Sequence, residues 1–185
     1  MENQEIYYIE ESQSWICPIA GRWKAICVGG GASGASAKGT ATVPGNSTSF
    51  GTLITANGGI STADGTSNTK HISGYGGYNG LIYGGIPGSL TGEWLNIGTG
   101  NTIATNATSG GVPMTALGWG AGGGAANTVS GSTPTAGRAG EIRTSIVTIE
   151  AGESVPCTVG KGGVIEDAGA ANGADGVIVL QYLGV

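Results

Sequence analysis

The sequence predicts an all-β protein: a small β-sandwich built from N- and C-terminal strands, with long glycine-rich loops or polyglycine-II-like runs between them. Three observations lead there. Glycine supplies 39 of the 185 residues, against roughly 7% in average proteins, and each glycine costs a helix about 1 kcal/mol relative to alanine, so no helix longer than a turn or two is expected. Short β-branched apolar segments stand near both ends of the chain and have the composition of strands. Charge is concentrated at those ends: residues 29–137 hold 29 glycines and four charged side chains, Lys38, Asp64, Lys70 and Glu93.

Residues 1–13 form an acidic segment, with Glu2, Glu5, Glu10 and Glu11 and no basic residue, set apart from a single glycine-rich β domain over 14–185. Segments 15–19 and 23–28, separated by Ala20-Gly21-Arg22, read as a β-hairpin or a pair of neighbouring strands. The C-terminal end repeats the arrangement with 141–149, a turn at Glu150-Ala151-Gly152-Glu153, then 154–159, and closes with a last run at 177–182. About five strands from the two ends are therefore expected to pair across the 29–137 insertion. That insertion carries Phe50, Leu53, Ile54, Leu81, Ile82, Met114 and Leu117 among its glycines. A structureless loop of that length is improbable in a compact domain, so it is expected to fold onto the end strands, with short strands at 52–56 and 81–84. The clusters Gly29-Gly30-Gly31, Gly76-Gly77 and Gly122-Gly123-Gly124 suit extended polyproline-II-like runs, which have no internal hydrogen bonds and pack closely because no Cβ intervenes.

Hydrophobic residues make up 39% of the chain and the net charge is only −5, which argues against disorder. At this size one domain can bury a core without disulfides or metal as staples. The acidic balance, 7 Lys and Arg against 12 Asp and Glu, argues against a nucleic-acid partner or an anionic membrane surface. The N-terminus is the reverse of a positively charged secretory leader, and no apolar run approaches the ~18 residues of a membrane span, so no membrane insertion is expected. Three cysteines, Cys17, Cys27 and Cys157, lie among strand-like apolar residues and read as buried reduced thiols, with a Cys17–Cys27 bridge across a hairpin left open.

Sites of chemistry are sparse. Gly29-x-Gly31-x-x-Gly34 has the skeleton of a dinucleotide-binding loop, but Thr, Val-Pro and Gly follow it instead of a helix, and the next acid is Asp64. His71 is the single histidine and reads as a surface residue, and no cluster of metal ligands is apparent. A carbohydrate-active enzyme would need paired carboxylates, for which Asp64, Glu93, Asp167 and Asp175 offer themselves. The expectation is a non-enzymatic protein with no catalytic residue, cofactor or metal.

The positive feature is aromatic and amide content in the nearly chargeless middle: Tyr75, Tyr78, Asn79, Tyr83, Trp94, Asn96 and Trp119, embedded in Gly, Ser and Thr. Rigid rings beside small polar groups give contact area at low entropy cost, a composition suited to binding sugars or proteins. The bland alternative is that these rings are the core of a glycine-rich layer, Trp119 above all.

Both ends of the chain carry a resemblance. Trp15-Ile16-Cys17-Pro18-Ile19-Ala20-Gly21, then 23–28 and Gly29-Gly30-Gly31, resembles the opening of the glycine-rich domains of bacteriophage tail-fibre, adhesin and virion surface proteins. Gly137-Arg138-Ala139-Gly140-Glu141-Ile142, Ile149-Glu150-Ala151-Gly152-Glu153-Ser154-Val155, Thr158-Val159-Gly160-Lys161-Gly162-Gly163 and 173–182 resemble the closing half. The likeness runs over about 14–183. It implies a phage virion structural protein on the virion surface, made in the host bacterial cytoplasm, associated with a tail fibre or baseplate and binding a cell-surface glycan or protein. The receptor-contact candidates are Tyr75, Tyr78, Asn79, Tyr83, Trp94 and Trp119. Docking to other virion proteins falls to Glu2, Glu5, Tyr7, Tyr8 and Glu10, and a homotrimer is the expected assembly. The alternative is a capsid decoration or head-fibre protein without specific receptor binding.

Overall fold

Alternation of apolar and polar residues, interrupted by glycine, builds ten strands among the described residues: β1 (Ile6–Ile9), β2 (Gln13–Ile16), β3 (Gly21–Val28), β4 (Thr48–Phe50), β5 (Ile54–Ala56), β6 (Ile82–Tyr83), β7 (Ile103–Ala104), β8 (Ile142–Ile149), β9 (Ser154–Thr158) and β10 (Val177–Gly184). The computed structural model describes residues 5–34, 42–60, 82–83, 103–104, 119–123, 137–166 and 172–185. The fold is all-β, with no helix among the described residues. Sheet 1 has the order β1-β10-β3-β8 and sheet 2 the order β2-β9-β4-β5, with every neighbouring pair antiparallel. The short ribbon β6–β7 pairs Ile82 with Ala104 and Tyr83 with Ile103.

Between the sheets lies an aromatic-rich core. Alternate residues of β3, Trp23, Ala25 and Cys27, join Ile9, Ile149, Ile178 and Leu180 from sheet 1 and meet Trp15, Phe50, Ile54, Ala56, Val155 and Cys157 from sheet 2. Trp15 and Trp23 meet edge-on with centroids 5.1 Å apart, Phe50 lies 5.8 Å from Trp15, and Tyr7 and Tyr182 flank Trp23 at 5.8 and 5.0 Å. Such tilted pairs add about 0.5–1.5 kcal/mol each beyond the area they bury. The other face of β3 and β10 is apolar too: Ile26, Val28, Val177 and Val179 are fully buried, with Ile6, Trp119 and Ile142 against them. Burial on both faces explains why these two strands contain unbroken apolar stretches.

The strands expected in both ends, at 52–56 and at 81–84 are present, β1, β4 and β7 lie beyond those expected, and connectivity corrects the reading in two places. Segments 13–16 and 21–28 do not form a hairpin: β2 pairs with β9 in sheet 2, and β3 pairs with β10 and β8 in sheet 1. β8 and β9 are likewise split between the sheets. Four residues, 17–20, carry the chain across. At roughly 3.3 Å each they span the ~10 Å between packed sheets. The two crossings brace one another, Cys17 N–H donating to the Glu153 carbonyl and Gly152 N–H to the Cys17 carbonyl, both at 2.8 Å. Gly21, at φ 148°, brings its backbone against Gly184, where a side chain would meet the Gly184 oxygen at 2.8 Å. Cys17, Cys27 and Cys157 are all buried and free, so the bridge left open by the sequence is not formed. Residues 6–9 also differ from the expected boundary, since this part of the segment set apart as 1–13 is an edge strand of sheet 1.

Beyond the sheets the chain forms a second layer of order, made of glycine-rich extended runs. Run 29–33, continuing β3, lies at its centre. Gly29 and Ala32 donate to the carbonyls of Glu141 and Arg138, Gly30 and Ser33 donate to Asn46 and Val43, and Gly31 donates to Ala174. Its own carbonyls at Gly30, Gly31 and Ala32 accept from Gly59, Gly163 and Gly123. Run 137–141 is met at Gly29 and again at Ala32, and run 43–46 at Gly30 and again at Ser33, the three-residue period of a polyproline-II screw, and every one of these bonds is between runs, as that conformation requires. The six neighbours also bond to one another in a closed ring. Glu141 donates to Asn57, Gly45 to Gly59, Asn46 to Lys161, Gly176 to Gly160, Ala174 to Ala121 and Gly140 to Gly120. Two of the glycine clusters named from the sequence, 29–31 and 122–123, lie in this bundle. Gly76-Gly77 lies outside the described residues.

Candidate functional site

The bundle has two ends of different character. At the sheet end, side chains take over from the backbone where ladders give way to runs. The Glu141 carboxylate, 3% exposed, accepts from the Asn57 backbone N–H at 3.0 Å, the Asn57 side-chain amide at 2.9 Å and Arg143 at 2.9 Å. The Thr48 hydroxyl accepts from Gly160 N–H and the Ser12 hydroxyl from Val159 N–H, both at 2.9 Å. Asp175 accepts from Lys161 Nζ at 2.7 Å and Gly162 N–H at 2.8 Å. Partial burial works to raise the Asp175 carboxyl, but the hydrogen bonds from Lys161 and Gly162 and the Lys161 charge outweigh it, and the net shift is downward. The same ion pair holds the Lys161 ammonium above its ordinary range.

At the end remote from the sheets, described chain leaves the bundle at 34, 60, 123 and 166 and re-enters at 42, 137 and 172. The bonds Ser33–Val43, Gly123–Gly137 and Gly163–Gly173 mark this end. The described residues on both sides of 35–41, 124–136 and 167–171 therefore lie at the remote end. Residue 60 lies there as well, whereas Trp119 stands beside Gly120, whose added Cβ would meet Val28 and Gly29 at the sheet end. This geometry makes the remote end the place where one rigid scaffold carries several connections, as binding loops are carried elsewhere.

The sequence candidates fall in three groups. Tyr75, Tyr78, Asn79, Trp94 and Asn96, with His71, Asp64, Glu93 and Asp167, lie outside the described residues, as does Glu2. Tyr83 lies in β6, opposite Ile103. Trp119 is placed far from the remote end: its indole is half-buried, packs on the second apolar cluster, stacks on Tyr8 with centroids 5.6 Å apart and donates to Glu10 at 2.9 Å. The structure thus brings Trp119 together with the docking candidates Tyr8 and Glu10. Tyr7 points the other way, inward against Trp15 and Trp23, because successive residues of a strand face opposite sides. Its hydroxyl donates to Glu5 at 2.8 Å, and that bond, with burial, raises the phenol above its usual range.

Sequence reasoning missed the opposite pole of the molecule, where the described chain enters at Glu5 and ends at Val185. Ile16 is 64% and Ile19 40% exposed there. Their signal in the sequence was weak, because each sits in an apolar segment that reads as core throughout. Family models, curated proteins and solved structures were all compared with this chain, and none matches it.

Proposed function

We propose that this chain is a non-enzymatic bacteriophage virion protein, associated with a tail fibre or baseplate, that presents glycine-rich connections to a glycan or protein on the bacterial surface. The observation that supports the reading is the departure of four connections from one end of a bundle whose seven runs are locked by backbone hydrogen bonds. Such a lattice spends its backbone groups on rigidity and leaves the connections free to vary in sequence without changing the scaffold. Tyr75, Tyr78, Asn79, Tyr83 and Trp94 all belong to the connection over 61–118 and are the contacts this reading assigns. Trp119 is withdrawn from that set, since its ring is engaged with Tyr8 and Glu10.

The test is binding of fluorescently labelled protein to host cells by wild type and by Tyr75→Ala, Tyr78→Ala and Tyr83→Ala. A drop of roughly ten-fold for at least one variant with an unchanged melting curve is expected, about what loss of one aromatic hot spot of 1–2 kcal/mol produces. Undiminished binding across the series removes the contact assignment. Gold-labelled antibody on virions gives the location, where label on the capsid instead of the tail would replace receptor binding with capsid decoration.

A further inference from the structure

We infer that the pole opposite the connections is a docking face for another virion protein, one that presents an apolar surface bordered by lysine or arginine. The inference rests on the virion reading above. The pole is built from the two chain crossings and the end of sheet 1. The Cys17–Glu153 and Gly152–Cys17 bonds join the crossings, the Tyr182 hydroxyl donates to the Ala20 carbonyl, Arg22 pairs with Gly184, and Tyr182 N–H donates to the Glu5 carbonyl. Ile16 and Ile19, at 64 and 40% exposure, flank the 17–20 crossing on this surface, with Pro18 and Ala151 exposed beside them. A soluble protein rarely groups exposed aliphatic side chains without an interaction to serve.

Charge selects the occupant. Glu5, Glu150 and Glu153 are all exposed around the aliphatic residues, while Arg22 projects from the outer face of sheet 1 by strand alternation. A second copy meeting this pole head-on would set the Glu150 and Glu153 carboxylates against their own counterparts, and an anionic lipid surface would be repelled in the same way. A basic-rimmed apolar partner satisfies both features. Hydrophobic burial would then supply affinity and the rim would supply orientation and on-rate.

The experiment uses virions produced with the full-length chain, purified on a density gradient, and compares wild type with Ile16→Thr/Ile19→Thr and Glu150→Lys/Glu153→Gln. Threonine keeps the β-branch, and glutamine keeps the acceptor that Glu153 offers to the Glu150 N–H. Both variants are expected to melt like wild type, to bind cells as free proteins like wild type, and to be depleted from virions at least ten-fold. Incorporation at wild-type level by both variants overturns the docking face and leaves the virion reading standing. Absence of the wild-type protein from virions overturns the virion reading itself. If the free protein sediments as an oligomer that Ile16→Thr/Ile19→Thr dissociates, the pole is a contact between copies, and the heterologous partner is refuted. Should the aliphatic pair fail to fold, the charge variant carries the decision alone.

Discussion

Gly31 sits at the centre of the seven-run bundle, and replacing it with alanine tests the lattice directly. The added Cβ would land on the Ala121 carbonyl oxygen and 2.5 Å from its carbonyl carbon. Both atoms are backbone, so run 119–123 must move outward. That carbonyl accepts from Ala174 N–H at 2.9 Å, and Ala174 in turn accepts from Gly31 N–H at 2.8 Å. Displacement disrupts both bonds, in which Gly31 and Ala121 are buried and Ala174 is half-buried. Each buried group left unsatisfied costs about 1–3 kcal/mol, giving about 2–6 kcal/mol in all, a large part of the 5–15 kcal/mol typical of a domain. At about 2–4 °C per kcal/mol for a chain of this size, the melting temperature should fall by roughly 8–16 °C for a mid-range loss of about 4 kcal/mol. Gly152→Ala is the control: its φ of 82° carries left-handed strain, but nothing lies within 4 Å, and the cost should stay near 1–2 kcal/mol. Thermal unfolding followed by tryptophan fluorescence compares the two. A Gly31→Ala protein that melts within about 4 °C of wild type, or no lower than Gly152→Ala, would refute the lattice argument.

Glu141→Ala should lower stability by about 2–3 kcal/mol in a urea titration, because it strips a charged acceptor from Asn57 and Arg143 where the run enters β8; a loss below about 0.5 kcal/mol would show that the carboxylate does not join the layers. Trp23, fully buried between Trp15 and Tyr182, should cost about 3–5 kcal/mol when changed to alanine, read from the same titration. Burial holds the Cys27 thiol up at about 12, reinforced by Cys157, and holds Cys157 at about 11. Native protein at pH 8 should therefore leave both thiols unmodified by iodoacetamide while unfolded protein loses all three, and rapid native labelling of Cys27 would contradict its placement. Asp175 has its folded-state pKa depressed, so its contribution is present above the unfolded carboxylate pKa and is lost as pH falls through the folded value. Acid titration of Asp175→Asn against wild type should converge at low pH and diverge near neutrality, by a small amount because the pair is solvent-exposed.

Strand composition is written locally, which is why β3, β8, β9 and β10 are legible from 21–28, 142–149, 154–158 and 177–184 alone: β-branched and aromatic residues in short runs fit few other conformations. The glycine clusters at 29–31 and 122–123 likewise announce close backbone approach, since a Cβ in the bundle would fall on a neighbouring carbonyl. Partner choice is not local. Nothing within 13–28 distinguishes a hairpin from a crossing, because the competing partners β9 and β10 lie more than a hundred residues away. Edge strand β1 was obscured by its flanking glutamates, which suggested a solvated segment even though Ile9 and Tyr7 alternate into the core. The aromatic candidates divide for the same reason. Trp119 shares its glycine-rich, nearly chargeless surroundings with the rings around residue 80, and the sequence favours a packing role for it, but only the return of the chain beside Val28 and Tyr8 supplies its partners. Composition therefore determined that this chain is β-structured with close-packed glycine runs; tertiary structure alone decided which runs meet, that six of them ring a seventh, and which pole carries the connections, because each of those outcomes depends on hydrogen bonds between residues distant in the sequence.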